Sequence, residues 1–312
     1  MFHTTKFFVS FILACFLLSS FVYGQNQPSI GTYNQQLELR HDNDFFLLTD
    51  RYYSSGLFLT YRKSLSRGIF QNDGEQLDFT IGQEVYTPSQ TQSTNTAVFD
   101  RPYAGFSGLN VSWSFAKQNE LFKASFLVGI AGLNSGAGGF QRWYHRAIAI
   151  SDSPLWVAEV NDSFHLNAYF SYVKEWEVAT GPFGVRFALK PNLALGSRDI
   201  YTEPETIFFF GRRNELGKSI AYNRLGSTDR EIYFALRASY RNVFYNGLIE
   251  GNLFGDNSPV LKEPTNGVWR FGFDFYHRFQ RNDYKFGIRY NSSETEQSKK
   301  HKYIMLSYGL SF

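Results

Sequence analysis

Most of this chain alternates apolar and polar residues with a period of two. Between Trp269 and Phe275, every second position holds a large apolar side chain and the positions between hold polar or small residues. Successive side chains of a β-strand point to opposite faces, so such a segment has one apolar and one polar face. The pattern recurs in segments that begin at Leu109, Phe122, Phe164, Val185, Ile232 and Tyr284. About twelve such segments with no linker between them predict one all-β domain.

The alternation alone does not identify the solvent, because a soluble sandwich or a lipocalin-like barrel alternates in the same way. Two features favour a barrel with lipid outside. The last segment runs from Ile304 to an aromatic Phe312 and resembles the terminal signature of bacterial outer-membrane barrels. The polar faces also carry many basic residues, namely Arg186, Lys190, Arg237, Arg241, Arg270, Arg278 and Arg289. We therefore predict a single transmembrane antiparallel β-barrel with a polar lumen.

Composition agrees with a barrel in the outer membrane. Aromatic residues make up 19% of the chain, with 33 Phe and 20 Tyr, although the mean hydropathy is only −0.31. Beyond the N-terminal region we find no apolar run of about 18 residues that would form a membrane helix. A net charge of +3 is too small to indicate a nucleic-acid partner. The expected partners are outer-membrane lipids, and we expect a monomer.

The first 24 residues have the pattern of a cleaved signal peptide. Lys6 precedes an apolar run from Phe7 to Val22, and Val22 and Gly24 are suitable for the −3 and −1 positions of a cleavage site. A membrane helix is the alternative, but the run is short for about 30 Å of hydrocarbon. We predict residues 1–24 as the signal and 25–312 as the barrel. The only cysteine, Cys15, lies in the signal, so the mature chain would have neither a disulfide nor a Cys-ligated zinc.

A polar cluster ends the first alternating segment. Asp42, Asn43 and Asp44 are consecutive, and Ser54 follows shortly after. Oxygen-bearing side chains at a strand end indicate a cation or catalytic site. A solvated turn is the other interpretation, since Asp and Asn favour turns whether or not they form a site.

One segment interrupts the strand pattern. Ala131 to Gly139 is too rich in glycine for a strand, and Phe140 to Ile150 is predicted to form a short helix. Gln141 and His145 are four residues apart, which places both on one helical face. A lone histidine is more often structural than catalytic. A helix in a barrel favours the functional interpretation, because barrels have little architectural need for one.

Five sequence blocks resemble a known family when they are taken in order. The chain is similar to the calcium-dependent lipid A 3′-O-deacylases of the outer membrane, and the similarity spans residues 37–161. The blocks are Asn43 to Phe46, Thr49 to Gly56, Gln83 to Pro88, Asp100 to Gly105, and the Gly139, Gln141, His145 segment.

The resemblance implies a twelve-stranded barrel that hydrolyses the ester of the 3′-acyloxyacyl group of lipid A in lipopolysaccharide. It implies that Asn43, Ser54, Gln141 and His145 are catalytic, with His145 as the base that activates water. It also implies a Ca²⁺ cofactor held by Asp44 and Asn43. Where this family commonly has Thr, the chain has Ser54, which keeps the hydroxyl. The chemistry is consistent, because histidine titrates near neutrality and a cation can stabilise the oxyanion.

Other functions are less compatible with the sequence. An outer-membrane phospholipase A type of enzyme needs a His-x-Ser pair, and no histidine here has serine two residues later. The Gly-x-Ser-x-Gly elbow of serine hydrolases is also absent. A non-catalytic barrel, porin-like or structural, that retains the family motifs stays open. The block from Asp100 to Gly105 has two interpretations, as a strand entry set by Pro102 and Gly105 or as part of catalysis.

Overall fold

The computed structural model describes residues 33–44, 51–70, 74–148, 152–181 and 183–312. The predicted signal peptide lies outside the described residues. The described residues form twelve long strands and one helix of more than a single turn. The strands are β1 Gln35–Asn43, β2 Tyr52–Leu65, β3 Glu75–Thr87, β4 Ala104–Lys117, β5 Glu120–Ala131, β6 Ser163–Ala179, β7 Val185–Gly196, β8 Asp199–Arg212, β9 Glu231–Asn246, β10 Gly267–Phe279, β11 Asn282–Asn291 and β12 His301–Ser311.

The twelve strands close into one antiparallel barrel. Each strand pairs with its neighbours in the sequence, and β12 pairs with β1 to complete the ring. The prediction of about twelve antiparallel strands is therefore confirmed. We call the end where β1 begins and β12 ends the base, and the opposite end the rim.

The outer face of the wall is apolar. Leu39, Leu59 and Ile81 form one row across β1, β2 and β3, and their side chains are 51%, 46% and 65% exposed. The residues between them, such as Glu38 and Arg62, point into the lumen and are buried. The period of two thus separates an outer apolar surface from a polar interior, as the sequence predicted.

Networks of paired charges fill the lumen and connect its strands. Arg237 donates to Glu205 at 2.9 Å and to Asp274 at 2.5 Å, and Arg241 and Arg270 both bind Glu203. Buried charges are costly unless they are paired and hydrogen-bonded. These inward-facing basic residues are therefore each matched by a carboxylate from another strand.

A loop at the base crosses the lumen. Residues 213–230 connect β8 to β9 and include two short 3-10 turns, Leu216–Lys218 and Ile220–Tyr222. Leu216 and Ile220 pack against inward side chains of seven strands, β4 to β10. Arg224 donates to Ser114 of β4, while the loop's own carbonyls accept from Arg278 of β10. The loop therefore contacts both sides of the lumen and closes the base.

Because this loop crosses the lumen, we expect the wild-type protein to show no steady ion conductance in a planar lipid bilayer. Replacing residues 213–230 with a short Gly-Ser turn should produce a conducting barrel, once heat-modifiable migration on a gel shows that the variant folds. A steady porin-like conductance in the wild-type protein would contradict the closed base.

The helix α1 spans Ala137–Ile148. It begins before Phe140, where the sequence predicted its start, and includes two glycines. Ser135 Oγ accepts a hydrogen bond from the Ala137 amide at 3.2 Å and so satisfies one N–H of the first turn. No helix among the described residues is long and apolar enough to cross a membrane. A four-residue helix, α2 Gly247–Glu250, lies in the rim loop between β9 and β10.

Candidate active site

A β-bulge shapes the rim end of β2. The register between β2 and β3 shifts between Tyr53 and Ser55, which leaves Ser54 as an extra residue. Tyr52, just before the bulge, has φ of +64°, a conformation that bulky residues rarely adopt. As a result Ser54 and Ser55 both lie on the outer face, where Ser54 Oγ is 2.8 Å from the hydroxyl oxygen of Thr87.

The strand before the bulge ends in the predicted polar cluster. Asn43 pairs with Ser55 across β1 and β2, so it also lies on the outer face. Asp44 follows directly, is 1% exposed, and accepts a hydrogen bond from the Arg51 amide at 2.9 Å. Asp42 points instead into the lumen, where Tyr53 donates to it and Arg40 forms an ion pair with it.

A row of outward-facing residues at this level is buried. Asn43, Ser55, Val85 and Gly105 pair in succession across β1 to β4. All four are buried, whereas outward side chains nearer the base are exposed. A covering element must therefore lie over this part of the outer wall.

The helix α1 is a covering element. Its first residue, Ala137, packs against Gly105 of β4, where an added Cβ would lie 2.4 Å from the Cβ of Ala137. Nearer its C-terminal end, Tyr144 contacts His41 of β1, with ring centroids 6.0 Å apart. Twelve residues of helix rise about 18 Å, and three strand spacings are about 14 Å, so the helix can bridge β4 to β1.

The N-terminal end of the helix is held between the outer wall on one side and the following loop on the other. The carbonyl of Ser135 accepts hydrogen bonds from the outward side chains of Gln83, at 2.9 Å, and Ser107, at 2.7 Å. Above it, Trp156 lies so close to Gly138 that an added Cβ would be 2.4 Å from the indole nitrogen. Gly105 and Gly138 thus permit close packing of the wall, the helix and the following loop.

Gln141 and His145 lie on the buried side of α1. Their exposures are 2% and 7%, while Arg142 and Arg146 are exposed. Gln141 Nε2 and His145 Nε2 are 2.9 Å apart. This contact between the amide and the imidazole holds the orientation of the ring.

Four predicted residues thus lie on the two elements that pack together at this level of the barrel. Asn43 and Ser54 lie on the outer face of the wall, and Gln141 and His145 lie on the covering helix. Asp44 lies at the rim next to Asn43. Sequence reasoning missed Ser55 and placed His41 outside the site. Counting the alternation back from the outward Leu59 would have indicated that Ser55 faces outward.

The block from Asp100 to Gly105 connects the loops at the rim. Asp100 accepts hydrogen bonds from the Tyr52 hydroxyl at 2.8 Å and from the Ser89 amide at 2.9 Å. Arg101 is 2% exposed, pairs with Glu294, and lies over the ring of Tyr86. These contacts favour the structural interpretation, in which Asp100 holds Tyr52 in the conformation that the bulge requires.

Glu159 anchors the loop that follows α1. Its carboxylate accepts hydrogen bonds from the Gly105 amide at 3.1 Å and from Trp156 Nε1 at 2.8 Å. Burial raises the pKa of Glu159 above its ordinary value of 4.5, because desolvation penalises the charged form. A carboxyl whose pKa is raised by folding contributes stability below its unfolded pKa and loses it as the pH rises through the folded pKa.

We therefore expect the protection of the Gly105 amide against hydrogen exchange to rise as the pH falls from 7 towards 4.5. Exchange should be measured by mass spectrometry and corrected for the intrinsic pH dependence of amide exchange. Glu159→Gln should flatten this dependence. If the protection instead decreases as the pH is lowered, as a depressed pKa would produce, the pKa of Glu159 is not raised by folding.

The fold and the covered outer face define the class of protein: a β-barrel of the bacterial outer membrane. A family model described as "Outer membrane protein LpxR" matches residues 11–312. The chain belongs to this family. No curated protein sequence matches the chain.

A solved structure from this family shows the same fold. LpxR from Salmonella typhimurium is 18% identical, with a TM-score of 0.73, and the match covers 89% of this chain and 100% of that one. Similarity to the Bordetella autotransporter BrkA β-domain is weaker, at 9% identity, a TM-score of 0.43, and coverage of 91% and 100%. Short turns of such barrels face the periplasm and long loops face outwards. The rim, which carries residues 132–162 and α1, is accordingly the outer end.

Proposed function

We propose that this protein hydrolyses the ester that holds the 3′-acyloxyacyl group on lipid A. The observation that supports the proposal is the buried pair of Gln141 and His145, on a helix that packs against the outer face of the wall on which Asn43 and Ser54 also lie. A site on the outer face meets membrane lipids directly, whereas a site in the lumen does not. The position at the outer end of the barrel also suits a lipid of the outer leaflet.

The chemistry requires a base, an oriented water and a means to stabilise negative charge. In the proposed reaction, His145 accepts a proton from water as the water oxygen attacks the ester carbonyl carbon. The tetrahedral intermediate then expels the 3′-oxygen of the sugar, which takes up a proton. Gln141 orients the imidazole, and Asn43 with one hydroxyl of the bulge provides polar contacts next to the ester.

The donor types at the site fit calcium. Ca²⁺ takes six to eight oxygen ligands, and the carboxylate of Asp44 and the amide oxygen of Asn43 are of this type. Among the described residues no group of three His, Cys, Asp or Glu side chains forms a metal cluster, so other oxygens would complete the coordination. When bound, the ion would supply positive charge beside the developing oxyanion.

We expect chelation of calcium with EGTA to abolish the activity of the purified protein, and added Ca²⁺ to restore it. The reason is that one carboxylate and one amide leave the oxyanion without compensating positive charge when the ion is removed. The control is the same EGTA solution preloaded with excess Ca²⁺. Full activity in EGTA would exclude calcium from the reaction.

The test of the function uses purified protein in detergent with two substrates, lipid A and a diacyl phospholipid. The expected result is release of the acyloxyacyl fatty acid from lipid A and no fatty acid from the phospholipid. Hydrolysis of the phospholipid alone would identify a different lipid esterase. Turnover of neither would favour a non-catalytic barrel.

A further inference from the structure

The bulge in β2 presents two serine hydroxyls, and their surroundings differ. Ser54 Oγ lies 2.8 Å from the Thr87 hydroxyl oxygen and 3.5 Å from the Tyr52 carbonyl, so it is engaged within the wall. Ser55 Oγ is buried and has no hydrogen-bond partner among the residues that the structure describes. Only one of the two hydroxyls is therefore already used by the protein itself.

Ser55 lies within the covered row of the outer wall. It pairs with Asn43 on one side and with Val85 on the other, and its residue exposure is 1%. Buried hydroxyls normally have a hydrogen-bond partner, and an exception in a native structure calls for an explanation. Neither lipid tails nor the apolar side chain of Val85 can satisfy this one.

A second polar atom in the same interface also lacks a partner. Gln141 Oε1 is buried and unpaired among the described residues, although the Nε2 of the same amide contacts His145. Ser55 belongs to the covered row of the wall, and Gln141 belongs to the buried side of the helix that packs on this wall. An interface with unpaired groups on both of its sides is suited to a polar ligand group that completes their hydrogen bonds.

We propose that Ser55 is a substrate-contacting residue, whose hydroxyl donates a hydrogen bond to the carbonyl oxygen of the scissile acyl ester. This inference rests on the proposed function, since it names the ester of an acylated lipid as the ligand. Ser55 Oγ–H is a donor without a competing acceptor, and the carbonyl oxygen gains negative charge as water attacks. Ser54, by contrast, is a positioning residue that ties β2 to β3 through Thr87.

The two serines should respond to alanine in opposite ways. Ser55→Ala removes a group that makes no protein hydrogen bond, so the midpoint of urea unfolding should not fall. The same change should lower kcat for lipid A by about 100-fold, the usual effect of losing one donor to an oxyanion. Ser54→Ala should lower the unfolding midpoint because it leaves the Thr87 hydroxyl unpaired.

Thr60→Val is the control, because Thr60 is a buried hydroxyl of the same strand that faces the lumen and bonds to Thr80. It should leave kcat unchanged. If wild-type protein cleaves lipid A and Ser55→Ala cleaves it equally fast, the role of Ser55 is wrong while the proposed function stands. If Ser55→Ala loses stability and activity together, Ser55 is structural. If wild-type protein does not cleave lipid A, both proposals fail.

Discussion

Replacing His145 with alanine should lower the rate of lipid A deacylation by about 10²- to 10⁴-fold, the range attributed to a single general base. The barrel should still fold, because the side chain lies on the covering helix and outside the ladders of the wall. The rate should be measured with purified protein as the release of acyloxyacyl fatty acid, and folding as heat-modifiable migration on a gel.

The matched control for this experiment is Arg146→Ala on the same helix. Arg146 is exposed, so its removal should leave the rate within about twofold of the wild-type value. If His145→Ala retains full activity in a folded barrel, His145 is not the base. If both variants lose activity equally, the helix as a whole and not the imidazole is required.

Asp274→Ala should destabilise the barrel by about 3–5 kcal/mol, the typical cost of breaking a buried ion pair. Asp274 is 0% exposed, accepts hydrogen bonds from Arg237 at 2.5 Å and from Tyr276 at 3.1 Å, and forms an ion pair with Arg289 at 2.6 Å. Its removal leaves two guanidinium groups in the lumen with fewer partners. The measurement is the free energy of unfolding in urea, in detergent or lipid.

Glu215→Ala provides the comparison for an exposed pair. Glu215 binds Lys218 at 3.1 Å, and both side chains are more than half exposed. Such a pair contributes about 0–1 kcal/mol, so this change should be nearly neutral. Equal effects of the two substitutions would mean that the lumenal charges are solvated and that their pairing does not hold the wall.

The barrel wall was predictable because the pattern that defines each strand lies within a short stretch of sequence. Each strand must present apolar side chains to one face and polar side chains to the other, and this requirement leaves a period of two in the sequence. Residues 269–275 and 109–115 follow it throughout. The identity of the lumenal side was also predictable, since the charged residues of β9 and β10, such as Arg237 and Arg270, all occur on one phase of the alternation.

The sequence named candidate site residues but did not indicate their arrangement. Strict alternation from the outward Leu59 places Ser54 in the lumen, and only the bulge returns it to the outer face. The bulge depends on Tyr52, whose hydroxyl is held by Asp100 far along the chain. Tertiary contacts of this kind leave no periodic signal in the sequence.

The closure of the base was missed for the same reason. Residues 213–230 show neither strand nor helix periodicity, so nothing local indicates that they turn inward. Their position depends on partners distributed around the barrel, such as Arg278 and Ser114. The resemblance to a lipid A deacylase contributed the proposed role of His145, while the structure contributed the helix that buries this histidine.

The central claim is that the interface between α1 and the outer wall cleaves lipid A at its 3′ ester. The most direct test is mass spectrometry of lipid A from bacteria that produce either the wild-type chain or His145→Ala in equal amounts. The wild-type chain should yield lipid A that is lighter by the 3′-acyloxyacyl group, and the variant should yield intact lipid A. Intact lipid A in both, or the same loss in both, would contradict the account.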